Sequence, residues 1–210
     1  YDETADPYVP VKGWKSAPNP EDVARAIELL LSAQKPLIYA GEGVIYAGAS
    51  AELTSFAELA NTPVISTLKA KGAFPENNPL FVGVRGDQVD EYLAKSDLIL
   101  AIGSSLSPGR FSHGIPDAAN KTIIHCTVDE LHVNKTYATA VALIGDARFA
   151  LQALEKELSD KTSGNGRPPG SVAAEVKSSR DSAMVQYREA MASTDKPINP
   201  YRVYAGLMEV

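Results

Sequence analysis

Lys35-Pro-Leu-Ile-Tyr-Ala-Gly-Glu-Gly-Val44 is an apolar run that ends in two glycines one residue apart. It leads into Ala51-Glu-Leu-Thr-Ser-Phe-Ala-Glu-Leu-Ala60, whose apolar residues recur at helical spacing. A strand, a glycine turn and a helix make the opening unit of a parallel nucleotide-binding sheet. The following stretches extend it. Thr62-Pro-Val-Ile-Ser66 reads as a second short buried strand and Leu80-Phe-Val82 as a third, separated by a loop rich in Gly, Pro and Asn. Residues 88–95 read as a helix. Leu98-Ile-Leu-Ala-Ile102 is apolar on both faces, as a central parallel strand must be. Residues 121–126 and 138–144 supply two more strands, and Gly145-Asp146-Ala147 opens a helix that runs to Leu158. This alternation predicts an α/β, three-layer Rossmann-like domain with about six mostly parallel strands and right-handed crossovers.

Both flanks break the pattern. Residues 1–19 are polar and interrupted by Pro7, Pro10 and Pro18, which predicts an extended linker arm laid on a surface through Tyr8 and Trp14. The abrupt start without an initiator Met reads as that of a chain cut out of something longer. A helix then begins: Asn19 is the expected N-cap, Pro20 sits in the first turn, and Glu21 and Asp22 suit the positive helix end. Val23, Ala26, Ile27, Leu30 and Leu31 form its apolar stripe. Residues 159–170 read as a linker, 173–192 as a polar helix anchored by Val176, Met184, Tyr187 and Met191, and 201–210 as a new amphipathic helix. The expected divisions are 1–19, 20–158, 159–200 and 201–210.

The chain has 210 residues, 44% hydrophobic and 22% charged, enough for one medium domain with a sizeable core. A net charge of -6 argues against a broad nucleic-acid surface. No apolar run approaches the roughly 20 residues that span a bilayer. Cys126 is alone, so no internal disulfide forms and a reducing cytoplasm is the simplest home. His113, His125 and His132 have no metal-ligand spacing.

Chemistry is sought at the strand tails, where open parallel sheets collect ligands. Gly41 and Gly43 match the first two positions of G-x-G-x-x-G, but the third falls on Tyr46. Glycines there let a backbone approach a pyrophosphate. Yet Glu42 puts a carboxylate in the turn, and Thr67 stands where an NAD ribose wants an acid. The turn is either a nucleotide cradle or a plain strand-to-helix connection. The other tails are Thr67-Leu-Lys69, Gly83-Val-Arg-Gly86, Gly103-Ser-Ser105 and Thr127-Val-Asp129. Arg85 offers a fork for phosphate or a surface ion pair. Asp129 offers two ribose hydroxyl acceptors or a helix cap, and Asp146 a cap that alternatively faces the ligand. Lys69 and Lys71 are expected in solvent, Lys69 near the phosphates. Arg110-Phe-Ser-His113 lacks an orienting acid and an oxyanion turn, so it is not read as a Ser/His pair. His125, inside a strand, is read as a core or interface histidine.

Taken together, Lys35 to Gly43, Thr62 to Gly72, Ser96 to Gly103 and Val128 to Asp146 resemble the central domain of thiamine-diphosphate-dependent enzymes of the acetolactate synthase and oxalyl-CoA decarboxylase type. The resemblance covers roughly residues 20–158 and implies a DHS-like nucleotide-binding fold. Residues 1–19 would connect from the pyrimidine-binding domain, and Tyr201 would open the diphosphate-binding domain. In this family the activator glutamate lies in the domain before, and the Gly-Asp-Gly and Asn metal motif in the domain after. Neither part of that motif occurs here, so thiamine diphosphate and Mg belong to the parent enzyme and the chain is not catalytic alone. Relatives hold FAD without redox use, ADP, or nothing in this domain. The implied contacts are Gly41, Gly43, Thr67, Leu68, Gly83, Arg85, Gly103, Ser104, Asp129 and Asp146. Gly103-Ser-Ser-Leu106 replaces the usual Gly-Ala-Arg-Phe, and Thr127 replaces a common acid before Asp129. The implied parent is a cytoplasmic lyase or carboligase acting on 2-keto acids or acyl-CoA-type substrates, a homo-oligomer and by family habit a homotetramer. The rivals are an independent, sirtuin-like NAD-binding module, which lacks the zinc cysteines here, and a ligand-free scaffold.

Overall fold

Asn19 caps the first helix, as expected from its chemistry. In the computed structural model, which describes residues 4–5, 13, 15–109 and 113–208, its Oδ1 accepts the Glu21 N–H at 3.0 Å and helix α1 (Pro20–Ser32) follows. Val23, Ala26, Ile27 and Leu30 are buried, whereas Leu31, counted in the same stripe, is exposed. Tyr8, Trp14, Pro7 and Pro10 of the arm lie outside the described residues.

Six strands follow: β1 (Pro36–Ala40), β2 (Val64–Ser66), β3 (Phe81–Gly83), β4 (Leu98–Ile102), β5 (Thr122–Thr127) and β6 (Val141–Ile144). They form one all-parallel sheet in the order β3-β2-β1-β4-β5-β6. β1 and β4 pair in the centre, Leu37 opposite Ile99 and Ala40 opposite Ile102. Both are buried at all five positions. The helices are α2 (Gly43–Tyr46), α3 (Ser50–Leu59), α4 (Asp87–Lys95), α5 (Ala147–Lys161), α6 (Val172–Val185), α7 (Arg188–Met191) and α8 (Pro200–Met208).

The period of two along each strand divides the core. Ile38, Leu100, Ile102, Ile124 and Leu143 pack with α1, α3 and α5 through Ile27, Leu30, Phe56, Leu151 and Leu154. Leu37, Tyr39, Ile99, Ala101 and Ile123 face the other way, against Val89 and Leu93 of α4 and Val176 of α6. The result is the expected three layers.

Several boundaries differ from the sequence reading. Gly83 closes β3 instead of following it. β6 starts three residues later than expected, because the Asn134 side chain accepts the Thr139 N–H at 2.8 Å and holds the preceding segment as a turn. The polar helix is split between Val185 and Arg188. α5 continues to Lys161, whose ammonium reaches Glu28 of α1 at 2.9 Å. Within residues 159–170, read as linker, Arg167 is tied to the domain: its guanidinium donates to the carbonyls of Ala33 at 2.9 Å and Ala60 at 3.4 Å. Those are the C-terminal ends of α1 and α3. Among the described residues no helix is long and apolar enough to cross a membrane.

Candidate functional site

In this strand order the direction in which successive strands are added reverses between β1 and β4, and their tails part to leave a crevice there. The two tails are locked together at its base. Gly41 N–H donates to Ile102 O at 2.8 Å and Gly43 N–H to Gly103 O at 2.9 Å. A side chain at Gly41 would come within 2.3 Å of Gly103 O. Gly103 itself has φ +65°, and a Cβ there would meet Val44 N at 2.7 Å. Three glycines are therefore required by chain-to-chain approach at this point. His125 adds to the lock: Nε2–H donates to Ser104 O at 2.7 Å. Burial lowers its pKa by disfavouring the charged ring.

The crevice above this base has a volume of about 730 Å³, within the range of small-molecule sites. Of the ten residues singled out from sequence, Gly41, Gly43, Thr67, Gly103, Ser104 and Asp146 line it. The other four lie elsewhere. Leu68 opens a 3-10 turn after β2 and stays outside the lining. Gly83 sits in the edge strand, packed against Gln88 and Val89 of α4. Arg85 follows that same edge strand, two strands away from β1. Asp129 is drawn into a local cap: Oδ1 accepts the Leu131 N–H at 3.0 Å, and Oδ2 stands 3.5 Å from His132 Nε2. Asp129 thus caps the turn at Glu130–His132, next to Thr127, Val128 and His132 of the lining.

Lys15, Glu42, Tyr46, Lys69 and Thr127, outside those ten, help complete the walls. Lys15, from the arm, reaches Asp146 Oδ2 at 3.1 Å, while Asp146 Oδ1 caps α5 through the Arg148 N–H at 3.0 Å. The arm backbone is laid on the β6–α5 turn, where Ser16 O accepts the Asp146 N–H at 2.9 Å. A Cβ on Gly145 would meet Ser16 O at 2.8 Å. Across the crevice, Lys69 Nζ stands 3.5 Å from Glu42 Oε1, and the Tyr46 hydroxyl donates to Glu42 Oε2 at 3.5 Å. Tyr46 enters because α2 is a single turn, too short to show as a period in sequence. Cys126, Thr127 and His132 line the β5 side. Burial, followed by the negative charge of Asp146, pushes the Cys126 thiol up to about 12. Donors, hydroxyls and two lysine–acid pairs thus face one cleft. Among the described residues no group of three His, Cys, Asp or Glu could hold a metal ion.

His113 is structural. Its ring Nε2 contacts Val84 O at 2.7 Å, and its backbone N–H donates to the Tyr39 hydroxyl at 3.2 Å. Arg110, Phe111 and Ser112 lie outside the described residues.

Comparison with known proteins places these features. The family model described as thiamine pyrophosphate enzyme, central domain, matches residues 23–154. The chain is 34% identical over 202 residues to a probable acetolactate synthase large subunit of Methanococcus aeolicus, covering 91% of this chain and 33% of that protein. It is 36% identical over 157 residues to the acetolactate synthase large subunit of Corynebacterium glutamicum, covering 70% and 25%. With the glyoxylate carboligase of Escherichia coli O157:H7 it shares 30% identity over 169 residues, covering 78% and 28%. An X-ray structure from Mycobacterium smegmatis, described as a thiamin diphosphate-dependent enzyme, superposes with TM-score 0.59 at 25% identity, over 71% of this chain and 30% of that one. The chain spans a quarter to a third of the length of these curated relatives.

Proposed function

The chain belongs to the central-domain family of thiamine pyrophosphate enzymes, and from that premise we propose that it is the joining domain of a lyase or carboligase acting on 2-keto acids or acyl-CoA-type substrates. Its kinship to acetolactate synthases and a glyoxylate carboligase supports that reaction class. In this reading the chain sits between a pyrimidine-binding and a diphosphate-binding domain, within a cytoplasmic homo-oligomer, a homotetramer on the family pattern. Its own contribution is to hold the two in register and to bind FAD or ADP in the crevice at the β1/β4 reversal.

The observation that carries the nucleotide part is that crevice. It lies where this sheet order collects nucleotides, it has the volume of a small-molecule site, and Thr67, Ser104 and Thr127 bring hydroxyls to it. A bound nucleotide would supply adhesion between the strand tails, with no redox role needed. Thiamine diphosphate and magnesium fit differently: the described residues offer no metal-ligand group, and the sequence has no Gly-Asp-Gly. No chemical step is therefore assigned to this chain.

Titrating the chain with FAD, ADP and NAD tests the reading. Saturable binding of FAD or ADP is expected, with no turnover of pyruvate when thiamine diphosphate and magnesium are added. Tight NAD binding would favour an independent module, and turnover would contradict the division of labour. One observation favours the ligand-free scaffold as a second reading: the N–H groups of Gly41 and Gly43 are already engaged inside the chain. Absence of binding at millimolar ligand would decide for it.

A further inference from the structure

The turn after β1 has little to offer a phosphate, despite its glycines. Gly41 N–H is bonded to Ile102 O at 2.8 Å, Gly43 N–H to Gly103 O at 2.9 Å, Val44 N–H to Gly41 O at 3.1 Å and Ile45 N–H to Glu42 O at 3.0 Å. Each N–H carries one proton, and at these lengths it is committed. α2 spans only Gly43–Tyr46, too little helix to sum a useful dipole. The turn carries the Glu42 carboxylate, and Lys69 reaches over to it from the β2 tail.

The Glu42–Lys69 pair is loose. At 3.5 Å between Nζ and Oε1, with the lysine 66% exposed, it is a solvated pair, of a kind that contributes at most about 1 kcal/mol. Glu42 keeps the pair in the crevice without committing the ammonium, which has three donors to give. A diphosphate offers that ammonium shorter, charge-assisted bonds.

Resting on the nucleotide reading of the crevice, we propose that Lys69 is the phosphate-binding residue of this site and that Glu42 is its built-in competitor. The diphosphate of an adenine nucleotide takes the Lys69 ammonium from Glu42 Oε1. The freed carboxylate then stands beside the phosphates and opposes them. Affinity for anionic nucleotides is thereby held down by a residue of the same turn that the glycine pattern marks as a cradle. The nucleoside portion, held at other tails, does not sense the exchange.

Calorimetric titration of the full chain with ADP and with adenosine reads both roles, because the two substitutions act with opposite sign. Glu42→Gln frees the lysine and removes the repulsion, so ADP binds about tenfold tighter; Lys69→Met makes ADP bind about tenfold weaker. Adenosine affinity is unchanged in both. Lys71→Gln, at an amine paired with Glu76 and outside the crevice lining, leaves ADP binding as it was. Matching melting curves for the variants exclude misfolding. If wild type binds ADP but Lys69→Met leaves it unchanged, or shifts adenosine equally, the role of Lys69 is overturned. ADP affinity that falls or stays flat in Glu42→Gln overturns that of Glu42. A wild type that binds neither ADP nor FAD overturns the nucleotide reading itself.

Discussion

Gly41 is under tight local constraint. A Cβ there would overlap Gly103 O at 2.3 Å, and both partners are backbone, so neither can turn aside. Gly41→Ala is expected to cost about 3 kcal/mol in urea denaturation, with or without any ligand. The glycine pattern was legible in sequence; its physical reason was not, because the partner, Gly103, lies far along the chain. His125 is a second case. Burial depresses its pKa, so folded chain resists the proton that the unfolded chain accepts near pH 6.5. Its contribution is present above that pH and is lost as pH falls towards the depressed folded value. A His125→Gln variant should show a flatter stability profile between pH 7 and 5 than the wild type, by denaturation at each pH. Cys126 runs in the opposite direction. Its thiol, raised to about 12, should stay unalkylated at pH 8 in the native chain and react fully in denaturant.

The elements whose cause is local were readable from the sequence. β4 reads as five apolar residues because both its faces are covered, and α1 announces itself through Asn19 and Pro20. α5 begins at the expected cap, and Asp146→Ala should cost about 1 kcal/mol through the lost Arg148 N–H acceptor, while also releasing Lys15 from the arm. The α3–α5 contact is reinforced by Arg148 and Glu52. What sequence did not reveal is the docking of residues around Arg167. Its guanidinium satisfies carbonyls at the ends of α1 and α3, where cations are favoured, and its own N–H donates to Leu59 O at 3.0 Å. A glycine- and proline-rich composition says nothing about such long-range partners. Arg167→Ala should lower stability by about 2 kcal/mol, by chemical denaturation.

At the scale of the whole molecule, the order β3-β2-β1-β4-β5-β6 creates the site. It brings the β1, β2, β4, β5 and β6 tails to one crevice and leaves the edge strand β3, with Gly83 and Arg85 at its tail, outside the lining. Six of ten expected residues converge because their place at a strand tail is enough. Lys15 and Tyr46 were missed because one comes from the arm and the other from a single helical turn. We propose that this crevice, built on a locked glycine base, holds an adenine nucleotide while the chemistry of the parent lies in its neighbours. A crystal structure of the chain grown with ADP tests it most directly: the nucleotide is expected over the β1 and β4 tails, against Ser104 and Thr67 with a phosphate at Lys69. Clear density for it at the opposite end of the sheet, near Arg167, or an empty crevice at saturating ADP, would contradict it.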